Sequence, residues 1–402
     1  MTTPRPKWAY TLPSTLLLMA PFDVLASLAM DIYLPVVPAM PGVLNTTPLV
    51  IQLTLSLYMV MLGVGQVVFG PLSDRVGRRP VLLCGAGLFL AASVGMASVS
   101  TATLFVTFRV LQAIGASAML VATFATIRDI YAERPEGAVI YGLFGSILAF
   151  VPALGPIVGA SIAGIFGWRA IFVALAAMAA IAVANASLKW PETRPLDRAQ
   201  SRRSVLPIFR SPAFWVYTTA FGAAMGTFFV FFSTAPRVLI GPAGYSQIGF
   251  SLAFASVAAV MIATTRFTKA FVTRWGVAGC VARGMALLLC GATLLGLAQL
   301  FGTASFATFI LPMWVAAVGI VLTVSVTANG ALSQFDHIAG AAVAFYFCLQ
   351  SLIVSVVGTA WITLLDGDTA WPLAGYSATM AVLVWLGLLL LRSREKVLDS
   401  RR

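Results

Sequence analysis

The sequence predicts an all-α polytopic membrane protein: twelve transmembrane helices in two six-helix pseudo-symmetric bundles. Three observations predict it. Of 402 residues, 60% are hydrophobic and only 9% are charged, against roughly 25% charged in a soluble domain. The apolar residues fall in runs near the length of about 20 that crosses a hydrocarbon core. Lysine and arginine collect in alternate loops. A net charge of +12 on a soluble chain would suggest nucleic acid. Here the basic residues lie between apolar runs, so they read as topology signals, and no nucleic-acid partner is expected.

The runs are 12–34, 49–69, 80–99, 103–126, 138–165, 169–189, 213–235, 247–268, 277–300, 304–328, 338–364 and 371–391. Each reads as a helix, because a spanning backbone must satisfy its own hydrogen bonds. The amino tail holds Arg5 and Lys7, and the even-numbered loops hold Arg75, Arg78, Arg79, Arg128, Arg134, Lys189, Arg194, Arg198, Arg202, Arg203, Arg210, Arg266, Lys269 and Arg274. The carboxyl tail adds Arg392, Arg394, Lys396, Arg401 and Arg402, whereas the odd loops hold only Arg169 and Arg237. Both termini are therefore expected in the cytoplasm. The longest polar segment, 190–211, is rich in Arg, Pro and Ser. It reads as a cytoplasmic linker dividing a bundle at 1–189 from one at 212–402. That is the layout of transporters built from two pseudo-symmetric halves with the site between them.

The first run carries Asp23 and Asp31. Arg5 and Lys7 before it resemble a signal peptide, but the run is long and holds two acids, so it reads as an uncleaved span. An ionisable residue in a span is expensive and usually faces a bundle interior or a wet cavity. Eight residues along a helix is a rise of roughly 12 Å and a rotation of about 80°. The two carboxylates thus share one broad face without touching. Arg109 in the fourth run is a further charge deep within a predicted span. Two acids and one base in an apolar interior point to proton or cation handling. Cys84, Cys280, Cys290 and Cys348 form no CxxC, and His337 is the one histidine, so neither a metal site nor a cofactor is expected.

After the second run comes Gly70-Pro71-Leu72-Ser73-Asp74-Arg75-Val76-Gly77-Arg78-Arg79, read as a short loop. Its glycines allow a tight turn, Asp74 can accept from a neighbouring helix amino terminus, and the arginines can bridge to nearby acids. The alternative is a basic loop that only sets topology. The loop after the eighth run, 268–279, keeps Arg274-Trp275-Gly276 without the aspartate. In the fourth run, Arg109-Val110-Leu111-Gln112-Ala113-Ile114-Gly115-Ala116 places a permanently charged guanidinium where it needs an acid or carbonyl partner, unless it snorkels to water. In the fifth, Pro152-Ala153-Leu154-Gly155-Pro156-Ile157-Val158-Gly159-Ala160 combines kinking prolines with small residues that admit a close neighbour. Ordinary close packing would ask for the same residues.

The seventh run is aromatic, with Phe221, Phe228, Phe229, Phe231 and Phe232, and the eleventh carries Phe345, Tyr346 and Phe347. Any one of these could face lipid or core, but some should line a binding cavity, since small-molecule sites are mostly apolar with few polar groups. Gln52, Tyr58 and Asn329 are candidates for the polar contacts.

The loop after the second run matches the major facilitator signature G-x-L-x-D-R-x-G-R-[RK] at every fixed position. The fourth run resembles the R-x-x-Q-x-x-G-A pattern of proton-driven members. The fifth resembles the antiporter motif G-P-x-x-G-G, with Ala160 in place of its last glycine. The run Asp31-Ile32-Tyr33-Leu34-Pro35-Val36-Val37-Pro38 resembles the D-x-x-x-P-x-x-P element of twelve-span drug:proton antiporters. Ala20-Pro21-Phe22-Asp23, Phe228-Phe229-Val230-Phe231-Phe232-Ser233 and Phe345-Tyr346-Phe347-Cys348 look like the phenicol exporters within that group. The resemblance implies the major facilitator fold and proton-coupled export of amphenicol antibiotics through a bacterial inner membrane, by a monomer, with no enzymatic step. It implies proton coupling by Asp23, Arg109 and Asp31. It implies drug contacts from Asp23, Ile32, Gln52, Tyr58, Arg109, Phe228, Phe231, Phe232, Phe345 and Tyr346. It implies conformational roles for Gly70, Asp74, Arg75, Gly77, Arg78, Arg79, Pro152, Gly155, Pro156 and Gly159. The residues alone stop at a proton-coupled exporter of a small, partly apolar solute. Other readings are a broader multidrug or metabolite transporter, a symporter, a membrane enzyme or a sensor. An enzyme would need a reactive constellation and a sensor an extra soluble domain; neither is evident.

Overall fold

In the computed structural model, residues 8–131, 134, 136–194, 204–302, 304–335 and 338–399 are described. Arg5, Lys7, Arg198, Arg202, Arg203, His337, Arg401 and Arg402 lie outside them. Twelve helices among the described residues are long and apolar enough to cross a membrane. They are α1 (Leu12–Val43), α2 (Pro48–Val76), α3 (Arg78–Ser98), α4 (Ala102–Tyr131), α5 (Val139–Phe166), α6 (Arg169–Lys189), α7 (Pro212–Ile240), α8 (Gln247–Thr265), α9 (Thr268–Leu300), α10 (Phe306–Leu332), α11 (Ala339–Leu364) and α12 (Trp371–Ser393). The chain folds as two compact units, Met1–Arg202 and Arg203–Arg402. The start of the expected linker packs into the first: Trp190 and Thr193 are fully buried there.

Helix starts and breaks follow local chemistry. Proline opens α2 and α7, where its missing N–H costs nothing. Ser211 and Ser246 accept from the third residue beyond, Phe214 and Gly249, capping α7 and α8. The α-helical part of α1 ends at Asp31 and continues as a 3-10 stretch, Leu34–Ala39. Pro35 is the residue whose N–H would otherwise bond the Asp31 carbonyl, and it has none. The first span is therefore longer than 12–34.

Two junctions differ from the expected loops. Residues 70–76 are helical, inside α2, and only Gly77 breaks the chain before Arg78 opens α3. Gly77 has φ +120°, a region that a side chain rarely tolerates. Gly70 lies within the helix with open space beside it, so it makes no turn. Likewise 268–275 is helical, and α9 is kinked at Gly276, φ +64°. Both reach beyond the apolar run because a helix ends at a backbone break, whereas hydropathy ends where charges begin.

Within each unit neighbouring helices pack backbone to backbone. A Cβ on Gly115 of α4 would lie 2.5 Å from the Gly85 carbonyl of α3, and one on Gly319 of α10 would lie 2.6 Å from the Gly284 carbonyl of α9. Small residues permit that approach where lipid supplies no hydrophobic drive.

Candidate functional site

The first unit gathers the charged candidates. Asp23 and Asp31 are both buried on α1, and Oδ1 of Asp23 has no hydrogen-bond partner. Arg109 on α4 is completely buried, so it does not snorkel. Its Nη1 donates to the Ala29 carbonyl at 2.9 Å and to Gln112 Oε1 at 2.8 Å. Its guanidinium lies 4.5 Å from the Tyr58 ring centroid and 5.4 Å from that of Tyr33, within cation–π range. Among the described residues it pairs with neither Asp23 nor Asp31. Of the two partners expected, an acid or a carbonyl, it is the carbonyl that Arg109 meets, and an amide oxygen and two aromatic faces complete its surroundings. Tyr58 OH donates to the Ala26 carbonyl at 2.7 Å, so α2 and α4 both grip the second half of α1. Gln52 and Ile32 are buried in the same unit.

Helix α5 closes on that half of α1. It runs unbroken through Pro152 and Pro156. A Cβ on Gly155 would lie 2.7 Å from Cβ of Asp31, and one on Gly159 would lie 1.9 Å from the Ile32 carbonyl oxygen. The small residues of the fifth run therefore sit directly over Asp31 and Ile32.

A second polar cluster lies at the α2–α3 junction. Arg78 is buried; its Nε donates to Asp129 Oδ2 at 2.9 Å, its Nη1 to Ser73 Oγ at 2.6 Å and its Nη2 to Asp74 Oδ1 at 2.5 Å. The carboxylate at the α3 amino terminus is not Asp74. It is Glu192, whose Oε1 accepts from Arg78 N at 2.9 Å and whose Oε2 accepts from Arg79 N at 3.2 Å, where the helix dipole favours an anion. Glu192 also occupies the space a Cβ at Gly77 would need, 2.5 Å away. Arg194 donates to the Arg75 carbonyl, and Arg79 to the Ser187 carbonyl at 2.7 Å. Asp129 and Glu192 were missed in the sequence. Asp129 lies just past the apolar run and Glu192 inside the presumed linker; their acidic character amid arginines was the one available signal.

Asp129→Asn is expected to destabilise the protein by about 3 kcal/mol, because it breaks a buried ion pair and leaves Arg78 only the more exposed Asp74 as an acid partner. Asp74 is 39% exposed against 0% for Asp129, so Asp74→Asn should cost well under half as much. Thermal unfolding of the two purified variants orders them, and equal losses would contradict this division.

The second unit holds the aromatic candidates, in two groups. Phe231 is buried, stacked on Phe254 at 5.2 Å and on Phe309 at 5.9 Å. Phe232 packs edge-on to Phe254, and Phe228 lies half-buried at the margin of the group. Tyr346 stacks on Phe221 at 5.0 Å and donates to Thr327 Oγ1 at 2.8 Å. Half-buried Phe345 packs edge-on to Phe209 at 4.9 Å. Phe231, Phe232 and Tyr346 are thus filled into packing, and the remaining exposed ring area belongs to Phe228 and Phe345. Asn329, near the end of α10, is exposed.

Comparison with known proteins gives a consistent result. The family model described as Major Facilitator Superfamily matches residues 23–359. The chain is 50% identical over 390 residues to the "Chloramphenicol resistance protein" of Pseudomonas aeruginosa, covering 96% of this chain and 93% of that one. It is 26% identical over 382 residues to "Multidrug resistance protein D" of Escherichia coli K12, covering 93% of each. In fold it is similar to the xylose transporter XylE of E. coli in a partially occluded inward-open conformation, with TM-score 0.72 and 16% identity over 92% of this chain and 96% of that one. It is likewise similar to a POT family transporter solved with 5-aminolevulinic acid, with TM-score 0.74 and 14% identity over 94% and 95% of the two chains. Twelve membrane-length helices in two units, the α2–α3 arginine cluster and a family match over most of the sequence agree: the chain belongs to the Major Facilitator Superfamily, and it is a membrane transporter rather than an enzyme.

Proposed function

We propose that the chain is a proton-coupled antiporter that exports amphenicol antibiotics, chloramphenicol and florfenicol, from the cytoplasm and so confers resistance. The observation that carries the substrate is the 50% identity, over 96% of this chain, to a relative named for chloramphenicol resistance. Proton coupling is supported by the first unit, where α1 buries two carboxylates and α4 a guanidinium. An ionised carboxylate is poorly tolerated at such depth, so its charge state can answer to what binds nearby. Drug and protons are the two ligands, and the monomer works in a bacterial inner membrane with both termini cytoplasmic. Residues 1–189 and 212–402 are its bundles and 190–211 the linker.

In this reading Asp23 exchanges its proton as drug enters from the cytoplasm, and Arg109 supplies a fixed balancing charge. In the first unit the proposed drug contacts are the polar groups of Asp23, Gln52, Tyr58 and Arg109 and the apolar side chain of Ile32. In the second unit, taken by itself, the proposed contacts are the ring faces of Phe228 and Phe345, with Phe231, Phe232 and Tyr346 packed behind. Export of a neutral solute against inward protons moves net charge, so pH gradient and voltage should both drive it.

Purified protein in liposomes should move chloramphenicol and florfenicol under an imposed pH gradient, and a protonophore should stop it. If neither compound moved, the substrate assignment would fail while family membership stood. The 26% identity to a multidrug resistance protein favours a second reading, a broader drug range. Competition by drugs unlike amphenicols in the same assay would support it.

A further inference from the structure

Arg109 is a permanent cation whose described hydrogen bonds go to neutral oxygens alone. That makes its position depend on how those oxygens are aimed. The Ala29 carbonyl is aimed by the backbone: it is among the last four of the helical segment Leu12–Asp31, and such carbonyls lack a partner within their own helix. Gln112 is different, because a side-chain amide can rotate or turn over and present its NH2.

What aims it is Ser93 on α3. Its Oγ donates to the Phe89 carbonyl at 2.7 Å. With its one proton committed, the hydroxyl can only accept, and it accepts from Gln112 Nε2 at 2.9 Å. The amide oxygen is left on the opposite side, where it meets Arg109 Nη1 at 2.8 Å. Ser93, Gln112 and Arg109 are all fully buried. The bonds run from α3 through α4 to the last α-helical turn of α1, landing two residues before Asp31.

We propose that Ser93 is a positioning residue for Arg109: its hydroxyl sets the Gln112 amide, and that amide holds the guanidinium on the end of the α1 helix. The role in export rests on the proton-coupled reading above; the positioning itself does not. An ion pair would survive the rotation of a neutral neighbour, but this arrangement does not, because each neutral acceptor serves only while its oxygen faces the charge. Removing the Ser93 hydroxyl leaves the Gln112 NH2 buried with no acceptor, and the amide relieves that by turning away from Arg109.

The test uses the full chain, in detergent and in liposomes. Ser93→Ala should lower pH-gradient-driven chloramphenicol export roughly tenfold, the worth of one buried hydrogen bond, with its melting temperature close to the parent's. Ser93→Thr should restore most of the rate, since a threonine hydroxyl can make the same bond to the carbonyl one turn back, as Thr126 does to Ala122 at 2.8 Å. Gln112→Glu presents only acceptors, so adding Ser93→Ala to it should change nothing further. Position is read directly from the nitrogen NMR signal of the Arg109 side chain, assigned by its loss in Arg109→Lys. Restrained guanidinium rotation is expected in the parent, in Ser93→Thr and in the Gln112→Glu double variant, and free rotation in Ser93→Ala. An Arg109 signal unchanged by Ser93→Ala overturns the proposal, whatever the export rate. If the signal responds as expected but the parent itself ignores a pH gradient, the positioning role stands and the coupling reading fails.

Discussion

Asp23→Asn is expected to lower pH-gradient-driven export on the order of a hundredfold, equivalent to roughly 3 kcal/mol on the transport barrier. Asp23 is 2% exposed, and its Oδ1 lacks a hydrogen-bond partner. A carboxylate so placed is costly when ionised, which makes its protonation sensitive to any ligand that changes its surroundings. Asparagine keeps the shape of the protonated acid and cannot release a proton, so binding and proton movement lose their link. Asp31→Asn should keep a measurable part of the rate, because Asp31 lies at the end of the helix, packed under Gly155. Arg109→Ala should fail as well. It removes the fixed charge and the bond to the Ala29 carbonyl together. Arg109→Lys should retain a little, a point charge replacing the fork. Drug-induced proton release from solubilised protein and liposome transport separate these variants. If Asp23→Asn released protons like the parent while Asp31→Asn did not, Asp31 would be the coupling residue. If both released them, the proton site would lie outside α1.

Gly159→Ala is expected to cost about 1–3 kcal/mol of stability, the usual penalty for overpacking, and most of the export. A Cβ there would stand 1.9 Å from the Ile32 carbonyl oxygen. Backbone cannot swing aside as a flexible side chain does, so α5 must move away from α1. Gly155→Ala meets Asp31 Cβ at 2.7 Å and should be milder, although it displaces a candidate proton carrier. Gly164→Ala, five residues further along the same helix, meets nothing within 4 Å. It should be neutral or slightly stabilising, since alanine is the better helix former. Melting temperature and liposome transport for the three variants test the order. Normal transport by Gly159→Ala would show that this approach of α5 to α1 is not needed for function.

Composition and local pattern determined the architecture. Twelve spans are legible because hydrocarbon thickness converts directly into a count of consecutive apolar residues, and that count needs no knowledge of neighbours. Asp23, Asp31 and Arg109 stood out for the same reason, as charges where lipid allows few. Tertiary structure alone decided what each charge touches. Between the acid and the carbonyl that Arg109 could have met, packing chose the Ala29 carbonyl and added an amide oxygen, and the partner that aims the amide, Ser93, lies 19 residues away from it on another helix. The anion at the start of α3 is Glu192, 114 residues from Arg78 in sequence, so no local spacing could mark it. By type any one aromatic was expected to face lipid or core, and residue type could not say which; packing spends Phe231 and Tyr346 on Phe254 and Phe221. Hydropathy is a property of one residue against its solvent. A hydrogen bond or a stacked ring is a property of two residues whose meeting is set by how the helices pack, and that information is absent until the bundle has formed.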